Sequence, residues 1–432
     1  MAIPTEDATD ERLGTDASAT INQQHGSWWP DQLALCLSGG GYRAALFHLG
    51  AVRRLDELGL VPRITAISSV SGGSILSAHL ATVLDPWPTA PLGRNEFDRR
   101  VAAPFEKFCR HNIRTTPFLK RLLPSNWRRT DTAVRELAKI YAARLTNNLT
   151  LGDLARRGGP RFVFCATDLS FGVNWVFDTR GQLTDGNQVW MGDYQVGYRD
   201  ARTFPLADAV AASSCFPPVF NPLELHAEPS DYVNGKYQAD DRDELVPGVT
   251  LSDGGVYDNL GSQPAMDHYG TLLVSDGGAV FRDIGPLGRF ALLKRIRRYA
   301  AIAERGGGSM RKLHIITLME TGQRHGVLWS IGTMSSAEAP QGHRYSNALI
   351  NDRIDGIRTD LDRFSEAEQA VLQNHGYLEL DAIAGLHANQ LPGMLPNPLP
   401  PCAPPFPEWL DEARVRAALE YSDQRKVFFD RR

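Results

Sequence analysis

The sequence predicts an α/β protein with a mostly parallel central sheet covered by helices on both faces, three layers in all. Two stretches carry that expectation. Leu35-Cys36-Leu37-Ser38-Gly39-Gly40-Gly41-Tyr42-Arg43 and Ile67-Ser68-Ser69-Val70-Ser71-Gly72-Gly73 are each an apolar run that breaks into small residues and resumes at helical spacing. Strand, tight turn and helix, twice over with short connections, make a βαβα start, and parallel strands need helical crossovers of this kind. The third observation is composition. With 432 residues, 42% apolar and 22% charged, the chain has the make-up of a globular protein able to bury a large core.

Taken in order, Met1 to Gly26 is polar and acidic, without the basic start and apolar centre of a signal peptide. Residues 1–28 are therefore expected to be a flexible tail. Leu33–Leu37 reads as a buried strand, Gly39–Gly41 as a turn, and Leu46, Leu49, Val52, Leu55 and Leu58 as one face of a helix stopped at Gly59. Ile64–Ile67 is a second strand; Ile75, Leu76, Leu80, Val83 and Leu84 mark a second helix, ended by Pro86. Residues 87–160 read as a helical insertion or lid. Arg110, Arg114, Lys120, Arg121, Arg128 and Arg129 give it a basic cast, suited to a solvated face or to anionic headgroups.

Strands are expected at Arg161–Asp168 and Val173–Phe177, and a small-residue turn at Ser213–Pro218. Leu223–Pro247 reads as polar loop with a hairpin. Val249–Asp253 and Leu272–Ser275 are strands, each running into Asp-Gly-Gly. A basic helix from Leu292 to Glu304, a break at Gly306–Gly308, a last central strand at Leu313–Leu318 and a late helix at Asp360–His375 follow. The tract Leu391–Pro407 reads as an extended proline-rich connector before a terminal helix. The main domain is thus expected over 29–390, with 391–432 appended.

The net charge of -4 argues against nucleic acid as a partner. Five scattered cysteines without a Cys-x-x-Cys pair argue against a disulfide framework or structural zinc, and fit a reducing, cytoplasmic compartment. No apolar run approaches the ~20 residues of a membrane span. Membrane contact is expected to be peripheral and transient.

The chemistry concentrates in the two turns. Three consecutive glycines at a helix N-terminus present backbone N–H groups to an anion. Ser71 sits at the apex of a strand–helix turn, the geometry that lifts a nucleophilic hydroxyl above a sheet end. A serine needs a base, and an oxyanion needs donors. None of the histidines lies in a comparable turn; His48 and His79 fall on the early helices, where packing is the ordinary role. The strongest carboxylate signal is Asp253, followed by two glycines, with Asp276-Gly-Gly as the alternative. The bland readings are a structural turn serine, a phosphate-binding glycine loop and a turn-capping aspartate. The loop lacks the Gly-Lys-Ser/Thr ending of a P-loop. Cys215 reads as a packed small residue.

Ser38-Gly-Gly-Gly-Tyr-Arg-Ala44, Ser69-Val-Ser71-Gly-Gly73 and Asp253-Gly-Gly255, in that order, resemble the patatin-like phospholipases, as do Ala166-Thr-Asp168-Leu and Ser213-Ser-Cys-Phe-Pro217. The glycine block is also similar to that of cytosolic phospholipase A2. The resemblance covers roughly Leu33 to Asp276. It implies a patatin-like three-layer fold, Ser71 as nucleophile, Asp253 as base, and an oxyanion hole from Gly39, Gly40 and Gly41 with Arg43 at the family's basic position. Two departures are Ser69 in place of the first elbow glycine, and Ala44 in place of the glycine often found after the basic residue. The expected function is a serine lipid acyl hydrolase, of phospholipase or lysophospholipase type, needing neither metal nor organic cofactor. The alternatives are an acyltransferase on the same site, or a nonenzymatic module binding lipid or phosphate.

Overall fold

The computed structural model describes residues 29–126, 129–180, 189–236, 248–279, 292–332 and 345–424; the expected tail at 1–28, Arg128 and the end of the Leu223–Pro247 loop lie outside them. The strands are β1 (Trp29–Leu37), β2 (Ile64–Val70), β3 (Arg161–Asp168), β4 (Val173–Asp178), β5 (Trp190–Asp193), β6 (Gly197–Asp200), β7 (Leu223–Leu225), β8 (Val249–Asp253), β9 (Tyr269–Asp276) and β10 (His325–Ser330). They form one sheet in the order β10-β9-β1-β2-β3-β4-β5-β6, with β8 and β7 joined through β3. From β10 to β3 every pairing is parallel, and beyond β3 the sheet continues antiparallel.

The main helices are α1 (Gly41–Glu57), α2 (Gly72–Val83), α3 (Thr132–Arg144), α4 (Leu206–Ser214), α5 (Leu292–Glu320), α6 (Glu366–Leu386) and α7 (Glu412–Ala418). The layering follows from strand alternation. On β1, Leu33, Leu35 and Leu37 enter the large core with Leu46, Leu49 and Leu372, whereas Ala34 and Cys36 face a second core with Leu272, Val274, Ile315 and Met319. One face is thus covered by α1 and α6 and the other by α5. All five cysteines are free thiols. Among the described residues, no helix is long and apolar enough to cross a membrane.

Three sequence expectations need correction. Leu313–Leu318 is helical, part of α5, and the last central strand is β10. A six-residue apolar run does not by itself distinguish helix from strand; here Ile315 and Met319, four apart, are buried while Leu313 and Ile316 are exposed. The glycines at 306–308 do not interrupt the helix, and at all three positions a Cβ would meet open space. Their cost there is one of propensity, not of packing. The late helix begins at Glu366, where Ser365 and Glu368 form a reciprocal capping box, and runs on to Leu386. The preceding turn is organised by Arg358, whose buried guanidinium bonds Asp362, Glu368 and the carbonyls of Arg363 and Ser422.

Helices α1 and α6 cross with backbone against backbone. A Cβ on Gly50 would stand 1.9 Å from the carbonyl oxygen of Gln373, and one on Gly376 would stand 1.9 Å from that of Phe47. Backbone meets backbone at both points, so neither neighbour can rotate away. Arg54 of α1 then ties down the proline-rich tract, donating to Pro400 O at 2.7 Å and to Asp381 on α6. Gly50→Ala should lower unfolding stability by about 2 kcal/mol or more, as overpacking against rigid backbone does. Chemical denaturation of the variant beside wild type measures it, with an unchanged midpoint as the contrary result.

Candidate active site

Two strand ends meet beside β3. Along one edge of that strand β2 pairs in parallel as far as Val70 opposite Cys165. At the next residue β8 takes over in antiparallel sense, with Asp253 opposite Ala166. Because β4 occupies the other edge over Val163–Asp168, β2 and β8 share this one and run toward each other. The turns leaving them, Ser71-Gly72-Gly73 and Gly254-Gly255, therefore emerge at the same place.

A single carbonyl joins the two turns. Ser213 O, at the end of α4, accepts from Ser71 N at 3.1 Å and from Gly254 N at 3.3 Å. The Ser213 hydroxyl also accepts from Ser71 N, at 3.0 Å, and donates to Cys165 O at 2.6 Å; Ser74 Oγ bonds it at 2.8 Å. This network holds Ser71 at φ 48° and ψ -113°, a conformation that costs a non-glycine residue about 1–3 kcal/mol. The residue stays 8% exposed while its neighbours on α2 are fully enclosed.

The glycine loop packs on the other side. A Cβ on Gly39 would lie 3.2 Å from Ser71 Cβ, so the loop and the serine are in contact. The expected oxyanion donors divide, however. Gly39 N–H already donates to Asn259 O at 2.9 Å, whereas Gly40 and Gly41 N–H have no partner among the described residues. Gly72 N–H, next to Ser71, is likewise unpaired there. Gly40 at φ 136° and Gly41 at φ 59° need glycine for the turn itself. The Arg43 guanidinium is buried and donates to the carbonyls of Asp355 and Ile357 at 3.0 Å and of Gly277 at 3.1 Å. It acts as a clamp, anchoring the first turn of α1 to the C-terminal half, and those carbonyls draw it away from an oxyanion.

The two Asp-Gly-Gly turns differ electrostatically. Asp253 is buried; its Oδ1 accepts Gly255 N–H at 2.8 Å and its Oδ2 has no hydrogen-bond partner. Burial raises its pKa to about 7, against the pull of the Gly255 N–H and the Ser71 hydroxyl, which lies close by without a well-formed bond. Asp276 is also buried, but Lys312 pairs with it and Gly278 N–H donates to Oδ1 at 2.9 Å. Burial works upward there too, yet the ammonium and the N–H outweigh it and hold the carboxyl below its ordinary range.

Among the described residues no histidine is hydrogen-bonded to Ser71. His48 Nδ1 bonds Ser275 Oγ at 2.6 Å and Nε2 bonds Ser38 O at 3.0 Å; burial lowers its pKa to about 4. His79 Nε2 meets Val101 O at 2.8 Å and is lowered to about 4 by the same cause. Both are neutral packing groups. Cys215 is buried and its thiol donates to Ala212 O, with burial pushing its pKa upward. Asp258 orders its own loop, accepting from the N–H groups of Leu260, Ser262 and Gln263.

Sequence reasoning missed three positioning elements. Ser213 had a signal in its small-residue turn, and Asn259 had one in Asp258-Asn-Leu-Gly261. The 355–362 segment, whose Asp360 O accepts Tyr42 N at 3.0 Å, had none.

A family model described as "Patatin-like phospholipase" matches residues 35–266. No curated protein sequence matches the chain. Among solved structures, human GIVD cytosolic phospholipase A2 is similar over 66% of this chain and 50% of its own, at 14% identity and a TM-score of 0.38. Its complex with methyl gamma-linolenyl fluorophosphonate and terbium chloride is similar over 88% and 62%, at 12% identity and 0.47. VipD from Legionella pneumophila is similar over 83% and 68%, at 14% and 0.36. The chain spans from half to about two-thirds of the length of these proteins.

The unpaired Asp253 carboxylate has a stability consequence. Its folded pKa, about 7, lies above the usual value of 3.8, so the folded state holds the proton more tightly. Stability is then lost as pH rises from about 4 through 7. Asp253→Asn should melt higher than wild type at pH 8 and match it closely at pH 4, by thermal unfolding; a lower melting temperature at pH 8 is the contrary result.

Proposed function

This chain belongs to the patatin-like phospholipase family, and on that premise we propose that it is a serine lipid acyl hydrolase cleaving fatty-acyl esters through Ser71 and Asp253. The observation that carries the reading is the shared Ser213 carbonyl, which ties the serine turn and the carboxylate turn to one atom.

In the proposed reaction, ionised Asp253 takes the proton of the Ser71 hydroxyl as Oγ attacks the ester carbonyl carbon. Negative charge passes to the carbonyl oxygen, and the N–H groups of Gly40 and Gly41 receive it, with Gly72 N–H adjacent. Each such donor is worth about 10²–10³ in rate where it is well aimed. The tetrahedral intermediate collapses, the bond to the alcohol oxygen breaks, and the proton on Asp253 goes to that leaving oxygen. Water then attacks the acyl-serine, giving its proton to Asp253, and the fatty acid departs as Ser71 is restored.

A carboxyl with a pKa about 7 supports this role in two ways. It is basic enough to accept a hydroxyl proton in the transition state, and it is still largely ionised just above neutrality. The salt-bridged Asp276, held below the ordinary carboxylate range by Lys312, is the poorer proton acceptor.

Ser71→Ala and Asp253→Asn should each lower turnover of a soluble fatty-acyl ester by at least about 10⁴-fold, with the fold retained by circular dichroism. Asp276→Asn should keep measurable turnover. Wild-type-like turnover by the Ser71 variant would end the proposal.

The rate on the acid side should rise with pH, pass half its plateau near pH 7 and level off about one unit higher, following ionisation of Asp253. Initial rates across pH 4–9 check this, and an acid limb centred in the ordinary carboxylate range near pH 4 would speak for a different base.

A further inference from the structure

The described part of α5 carries apolar side chains on one face that are exposed among the described residues. Tyr299, Ile302, Met310, Leu313 and Ile316 are between 38% and 67% exposed. At 100° per residue they fall within about 120° of the helix circumference, on the side opposite Ile315 and Met319, which are buried. The helix has 29 residues and so runs about 43 Å. Large apolar side chains scattered singly need no explanation, but five exposed on one side of a single helix do, in two groups on either side of Gly306–Ser309.

The charge of α5 says what should cover it. Leu292–Glu320 holds seven Lys and Arg against two Glu, inside a chain whose net charge is -4. Arg298 and Arg305, seven residues apart, follow one border of the stripe. A helix with an apolar row and a basic margin has the make-up of one lying in the interface plane of an anionic membrane, its apolar face about 5–10 Å into the headgroup boundary.

The position of α5 gives that surface a purpose. Arg311 Nη1 donates to Tyr257 O at 2.9 Å, its guanidinium lies 4.6 Å from the Tyr257 ring centroid, and it stands 3.7 Å from Asp258. Lys312 pairs with Asp276. The helix is therefore docked on the turn that leaves Asp253, and Glu304 is near enough for its charge to act on that carboxyl. Val256, three residues past Asp253, adds a further exposed apolar side chain.

From these observations we infer that Tyr299, Ile302, Met310, Leu313 and Ile316 form an interfacial surface that seats the protein on anionic lipid, on the helix docked against the turn that leaves Asp253. The docking itself is a property of the surface; its use in delivering substrate rests on the hydrolase reading.

The test is co-sedimentation of the full chain with vesicles of phosphatidylcholine, with and without phosphatidylglycerol, together with hydrolysis of a short-chain soluble ester. Wild type should bind the phosphatidylglycerol vesicles and bind pure phosphatidylcholine more weakly. Met310→Glu/Leu313→Glu should weaken vesicle binding by about tenfold or more, leaving soluble-ester turnover unchanged. Met310→Ser/Leu313→Ser, with an unfolding midpoint like that of wild type, should show the same loss in smaller degree. Unchanged vesicle binding in both variants overturns the inference. So does a wild-type dimer in size-exclusion chromatography that these substitutions split while vesicle binding persists, since a second copy would then be the occupant. If wild type hydrolyses no ester yet sediments as expected, the surface stands and the hydrolase reading falls.

Discussion

One carbonyl oxygen organises the site. Ser213 O accepts hydrogen bonds from both Ser71 N and Gly254 N, so the turn carrying the hydroxyl and the turn carrying the carboxylate cannot drift apart without breaking a buried bond. The arrangement is possible because two strands oppose each other along one edge of β3, one arriving parallel and the other antiparallel. Both turns then face the same point. The strained backbone at Ser71 is held by the same residue, through its hydroxyl as well as its carbonyl.

The two Asp-Gly-Gly turns show how little the motif decides alone. Each puts a carboxylate at a strand end with an N–H from two residues on, and each is buried. Lys312 on α5 separates them: with it, Asp276 is an ordinary buried ion pair, and without such a partner Asp253 becomes a weak acid near neutrality. A buried charge unpaired in this way works against folding and is the usual companion of a group placed to exchange protons.

The C-terminal half is part of the site's scaffold. Asp355, Ile357 and Asp360 supply carbonyls to Arg43 and Tyr42 at the start of α1, and α6 crosses α1 backbone to backbone. The glycine loop is thus wedged between the serine turn and a segment more than 300 residues later. The family match ends at residue 266, so this buttress lies beyond it. The Arg43 position in the glycine block has a concrete task here, anchoring the loop to that buttress.

Local sequence determined the elements whose signals are local. The first two strand–turn–helix units, the Asp253 turn and the strands β3, β4, β8 and β9 stand within a few residues of where apolar runs and glycines put them. The proximity of Ser71 and Asp253 in space is another matter, since register along β3 is set by pairing between strands far apart in the chain. Leu313–Leu318 turned out helical because burial of Ile315 with Met319, a tertiary contact, outweighed an ambiguous six-residue pattern. Strands β5 and β6, four residues each, hold too few alternations to mark them. Which glycine N–H groups are unpaired, where the Arg43 guanidinium goes and which aspartate finds a lysine are likewise choices made between distant segments. Hydrogen-bond partners and desolvation are properties of the packed chain, and no run of neighbouring residues contains them.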